Sequence, residues 1–182
     1  MFHPVTKLEI IEALESNARS VTEFFSGIPD RLFFDGDPDH WSPAHHLAHL
    51  TQASNSVEPA LRSETLPLHP AARSRTYAEV RDAAAASVAA TPKDRLLEMG
   101  RKVVIARGLT REDIVNAFAS ASAKVRTAAE AWSEDALDRH ALRHPLIGQL
   151  TVREMLLFFV VHERHHLKIV RVRTEGRLPH ER

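Results

Sequence analysis

Twelve of the 182 residues are histidine, and six of them fall in two clusters: His45, His46 and His49, then His162, His165 and His166. Imidazole is the commonest protein ligand for metals, so clustered histidines point first to metal chemistry. Residues four apart in a helix sit on one face, a turn apart. His162 and His166 therefore project together, and at that spacing they can share one ion. The stripe Met155, Phe159, His162, His166, Ile169 steps by four, three, four and three. It reads as the core-facing stripe of a helix, where two imidazoles without partners would be costly to bury. A metal satisfies both. Hydrogen-bonded core histidines are the plainer account of an isolated His-x-x-x-His, and the second cluster tips the balance towards a metal.

His165 lies three residues after His162, about 80° from the middle of the stripe at roughly 100° per residue. A flank position is expected for it rather than ligation. The first cluster leaves a choice. His45 and His49 are four apart and His46 and His49 three apart, so either pair shares a face. Leu47, Leu50 and Val57 bring His46 nearer the core, while Ala53 widens the stripe back towards His49. Periodicity alone leans slightly to His46.

The elements that must position these residues are helices. Thr6-Lys7-Leu8-Glu9 is a capping box that opens a helix ending at Gly27-Ile28-Pro29. A turn-rich loop follows from Asp30 to His40. Ser42 as N-cap and Pro43 at the first helical position start a second helix, expected to run to about Val57 because Pro59 will end or kink it. Residues 62–76 read as loop, Tyr77 to Ala90 as a short Ala-rich helix, and Thr91-Pro92 as the start of a further short one. From Thr110, the spacing of Ile114, Phe118, Ala121, Val125 and Trp132 is helical. A largely polar connection, Ser133 to Leu150, leads to Thr151-Val152-Arg153-Glu154, which opens a last helix to about Val172. With no convincing strand and no repeat, residues 1–182 read as a single all-α domain. The expected architecture is a four-helix bundle with a long crossover between the second and third main helices.

Composition narrows the chemistry. Lys+Arg and Asp+Glu both total 24, which argues against a general nucleic-acid or membrane-surface binder. Cysteine is absent, which excludes disulfides, thiolate nucleophiles and Cys-held zinc or iron–sulfur clusters. Met1 to Ile11 lacks the pattern of a signal peptide, and the apolar run Met155 to Val161 falls short of the roughly 18 residues of a membrane span. A soluble cytoplasmic protein with a small-molecule substrate is expected, with neither nucleic acid nor membrane as partner.

The segment Trp41-Ser42-Pro43-Ala44-His45-His46-Leu47-Ala48-His49-Leu50 resembles the Trp-Ser start and helix-borne His-Leu of the DinB-like (YfiT-like) metalloenzyme family. His144-Pro145-Leu146-Ile147-Gly148-Gln149-Leu150-Thr151 is similar to the segment before that family's last helix, and His162-Glu163-Arg164-His165-His166 to its C-terminal His-x-x-x-His. The resemblance runs from Trp41 to about Val170, with residues 62–108 adding little. It implies a four-helix bundle, often a homodimer, with zinc or nickel on His49, His162 and His166; the choice of His49 over His46 rests on it. Two departures stand out. His45 occupies a position where the family often has glutamate, and Ile169 one where it often has glutamine; both bear on the surroundings of the ligands, not on the ligands.

Three neutral imidazoles leave a metal strongly electrophilic, with at least one coordination position open. The resemblance implies thiol-dependent transfer or isomerisation with a low-molecular-weight thiol such as bacillithiol or mycothiol, acting on a small electrophile. A hydrolase using metal-activated water is the alternative, and would need a general base. Glu163 and Glu154 are the nearest carboxylates in sequence, but both read as solvated positions off the core stripe. A non-enzymatic metal-binding stress-response protein is the third reading. Arg171, Arg173 and Arg177 read as a solvated helix end, and Trp41 and Trp132 as packing anchors.

Overall fold

A computed structural model describes residues 3–36, 40–63 and 65–175 of the chain. In chain order its elements are α1 (Lys7–Ser26), α2 (Asp30–Phe33), α3 (Pro43–Leu61), α4 (Tyr77–Ala90), α5 (Lys93–Arg101), α6 (Arg111–Glu130), α7 (Ala136–Arg139), β1 (Ala141–His144), β2 (Gly148–Thr151) and α8 (Val152–Thr174). Four helix starts share one device. Thr6, Thr76, Thr110 and Thr151 each accept the amide three residues on, while Glu9, Glu79, Asp113 and Glu154 reach back to the Thr amides. Each box satisfies two donors that a helix start leaves orphaned.

The long helices pack α3 on α6, α6 on α1, α1 on α8 and α8 on α3. Helix α8 is the most enclosed of them: every residue from Val152 to Val160 is buried, Arg153 and Glu154 included. It also meets α4, α7 and the hairpin. One apolar cluster, around Leu14, Val125, Leu150 and Met155, gathers where α1, α6, the hairpin and α8 meet. A second, around Phe25, Phe33, Leu47 and Phe118, fills the space between α1, α2, α3 and α6. No helix among the described residues is long and apolar enough to cross a membrane.

Three expectations are corrected. The polar connection before α8 holds an antiparallel hairpin, β1 pairing with β2 from Ala141↔Thr151 to His144↔Gly148. Four-residue strands are too short to show a period of two. Gly148 closes the turn at φ +88°, a conformation that costs glycine nothing. Helix α3 runs through Pro59 to Leu61; so close to its end the proline forfeits little, and the Arg62 amide still bonds the Glu58 carbonyl. The loop after α1 contains the short helix α2, capped onto the second cluster by Leu32 and Phe33.

Candidate metal centre

The Ser42 hydroxyl accepts the His45 amide, and with Pro43 at the first helical position it fixes where α3 begins. That start sets the helical phase that turns His46 and His49 towards α8. His46 meets His166 and His49 meets His162, so the two helices run in opposite directions at the site.

His49, His162 and His166 come together: one ring nitrogen of each lies within 4.8 Å of the others. His162 Nε2 is 3.0 Å from His49 Nε2 and 3.0 Å from His166 Nε2. A single ring nitrogen carries either one proton or one lone pair, so it serves two such neighbours poorly by hydrogen bonding. A cation at the centre relieves this. Tetrahedral zinc with Zn–N near 2.05 Å would set its nitrogens about 3.3 Å apart, a small adjustment from what is seen. The residues fit a metal, and among the described residues the group contains these three ligands and no more.

Burial is the main cause that keeps these rings neutral. It lowers His49 to about 4 and His46 to about 3, and holds His162 and His166 well below the usual histidine range; the crowding of histidines, which disfavours a charge on any one of them, adds to the effect on His46, His162 and His166, and Arg173 adds further to that on His46. Neutral imidazole is the form a metal requires.

His46, the residue that periodicity favoured, is 5 % exposed and more enclosed than His49. It joins the site through another contact. Its Nδ1 lies 2.7 Å from His166 Nδ1. With His166 Nε2 committed to the centre, His166 Nδ1–H donates to His46, which orients the ring. His46 Nε2 is then left buried without a partner, as is His162 Nδ1. Trp41 does more than anchor packing: its ring lies 5.1 Å from His49, 5.4 Å from His46 and 6.3 Å from His166, so it walls one side of the site. Behind Trp41 lies Gly100 of α5, where a Cβ would come 3.1 Å from Trp41 Cζ2. Trp132, by contrast, is an anchor, its Nε1 donating to the Leu61 carbonyl.

The flanking residues divide. His165 is exposed, and its ring meets only the edge of His166. His45 turns back to the Ser42 hydroxyl at 2.8 Å. Arg171 covers the Phe24 ring, and Arg173 is exposed but near enough to His46 to oppose its protonation. Arg177 lies outside the described residues.

Both carboxylates read as solvated are in fact buried, each 2 % exposed. Helix α8 is covered on every side from Val152 to Val160, which encloses Glu154, and α6 and α1 cover the side on which Glu163 lies. Glu154 accepts two bonds from the Arg75 guanidinium at 2.9 Å and one from the Arg75 amide. Glu163 is enclosed beside Ser122 of α6, whose hydroxyl donates to it at 3.3 Å, and its Oε2 has no partner. Burial raises its pKa to about 8, against Asn17, Ser122 and Arg164, which pull it down. Helical phase around His162 was the available signal, but it could not say that α6 and α1 cover that flank.

A search of curated proteins returned no match. The model of the DinB superfamily matches residues 13–170, which include all three converging histidines, the whole of α3, α8 up to Val170 and the hairpin between α7 and α8. The chain belongs to the DinB superfamily.

Proposed function

We propose that the chain is a metal-dependent transferase that joins a low-molecular-weight thiol to a small electrophile. His49, His162 and His166 would hold a divalent ion, zinc or nickel, in a four-helix bundle made of α1, α3, α6 and α8. The observation that carries the reading is the convergence of three neutral imidazoles with no fourth protein ligand among the described residues, which leaves coordination open. A divalent ion there supplies Lewis acidity, which makes a bound thiol easier to ionise.

The chain's own residues account for the rest. The three imidazoles bind, His46 orients His166, and Trp41 and Phe158 wall the site, Phe158 stacking on His162 at 5.0 Å. The thiol must come from outside, since the chain has no cysteine. Transfer is favoured over hydrolysis because Glu154 and Glu163 are engaged with Arg75 and Ser122, not with the site histidines. The cytoplasm, where small thiols are kept reduced, is the fitting compartment.

The test is conjugation of bacillithiol or mycothiol to a panel of small electrophiles by tag-free protein loaded with zinc or nickel. Metal-stimulated product, lost in His166→Ala, is expected. Loaded protein that stays inert across the thiols and electrophiles would overturn the proposal.

A further inference from the structure

Residues 92–109, the second half of the connection between α3 and α6, are held to the fold by packing alone. Among the described residues, none of them makes a hydrogen bond or ion pair outside the segment. The Leu96 amide returns to the Pro92 carbonyl, the Val103 amide to that of Gly100, and Lys102 pairs with Glu98 one turn back. The first half of the same connection is different: there Ser74 bonds Asp138 and Thr151, and Arg75 grips Glu154. No residue of α5 is buried, and its N-cap, Pro92, offers no side-chain bond. Val103 is buried and Ile105 rests on the second apolar cluster, while Val104 is 79 % exposed.

The segment also packs on the wall of the metal centre. A Cβ at Gly100 would lie 3.1, 3.3 and 3.4 Å from Cζ2, Nε1 and Cε2 of Trp41, which form one edge of the indole. The same ring lies 5.1 Å from His49 and 5.4 Å from His46, so one side chain touches both α5 and the site. Each end of the segment carries a break. Thr91 is extended before Pro92, which separates α4 from α5. Gly108 has φ +84°, with nothing within 4 Å of where a Cβ would stand. That glycine serves the backbone conformation and not a close approach, and its torsions can change without displacing a neighbour.

We propose that residues 92–109 form a lid on the metal centre, which turns about Thr91-Pro92 and Gly108 and closes by seating Gly100 on Trp41. The inference rests on the reading of His49, His162 and His166 as a metal site. A segment with few buried apolar groups and no polar ties opens locally, at far less cost than unfolding the domain. Opening takes the support from Trp41 and uncovers the histidines that the indole walls; closing restores the wall. Hinges of this kind are a few element-terminal residues that absorb the backbone change.

The test follows hydrogen exchange, and zinc transfer to a chelator, in full-length zinc-loaded protein. In the wild type the amides of α5 should exchange at least about ten-fold faster than those in the middle of α3 and α8. Gly108→Ala meets no atom and only disfavours the left-handed hinge, shifting the lid towards open by about five- to thirty-fold. Gly100→Val removes the seat on Trp41. Both variants should pass zinc to the chelator at least about three-fold faster, with zinc content and exchange in α3 and α8 unchanged. Wild-type α5 amides below that ten-fold margin, zinc transfer in Gly108→Ala accelerated less than three-fold, or faster exchange in Gly108→Ala that spreads to α3 and α8 would each overturn the lid while the metal site stands. Wild-type protein that takes up no zinc would overturn the metal reading and this proposal with it.

Discussion

Glu163→Gln tests the packing around α8 without any substrate. The folded carboxyl keeps its proton up to about pH 8, whereas the unfolded chain releases it near 4.5. Between those values the folded state binds more protons, so this residue makes stability fall as pH rises. At about 1.4 kcal/mol per pH unit, moving from pH 5 to pH 7.5 costs the wild type about 3 kcal/mol. The variant has nothing to titrate there. Its new amide donors carry a fixed penalty of about 1–3 kcal/mol if unpaired, but that penalty is the same at both pH values and drops out of the difference. Urea unfolding of both proteins in chelator, at pH 5 and pH 7.5, gives the four free energies needed. The difference between variant and wild type should shift by about 3 kcal/mol in favour of the variant on going to the higher pH. A difference that does not move with pH would mean an ionised, solvated carboxylate, and the enclosure of Glu163 by α6 and α1 would be refuted.

Alanine at His49, His162 or His166 should each reduce bound zinc or nickel at least ten-fold by elemental analysis of tag-free protein; metal retained by all three variants would sink the site. His46→Phe removes the acceptor for His166 Nδ1–H, so chelator competition should show metal affinity about 10–100-fold weaker at unchanged stoichiometry. Metal-free protein should lose stability as pH falls from 6.5 towards 4, because the unfolded chain takes up protons that buried His49 and His46 refuse; His49 alone contributes about 3 kcal/mol. Urea unfolding across that range checks it, and a flat profile would contradict the burial of these rings. Gly100→Val forces methyl groups against Trp41, so faster proteolysis within α5 and red-shifted tryptophan emission are expected, with unchanged emission counting against the contact.

The sequence carried the helix starts well because each is a local event. Thr6, Thr76, Thr110 and Thr151 sit three residues before an acid, and a capping box needs nothing from the rest of the fold. The histidine face of α8 was equally legible, since i, i+4 spacing is a property of the helix itself. Periodicity and family resemblance pointed to different members of the first cluster, and each had hold of something: His46 is the more enclosed, while His49 is the one that joins His162 and His166. What stayed hidden depended on coverage from elsewhere. Nothing near Glu163 in sequence announces Ser122, and nothing near Glu154 announces Arg75, some 80 residues away. The hairpin was missed because its strands are four residues long, and the role of Trp41 because ring contacts across helices leave no periodic trace.

The two helices of the site are close in space but distant along the chain, His49 and His162 being 113 positions apart. Whatever grips both rings staples the molecule across that span, as a disulfide would, but reversibly. Such a loop is costly to close in the unfolded chain, so occupancy and folding become one equilibrium. At a thousand-fold excess of free ion over its dissociation constant the gain is about 4 kcal/mol, a large share of a typical domain's margin. The half-life of the protein would then follow the metal supply of its cell, with starvation first loosening the seam between α3 and α8.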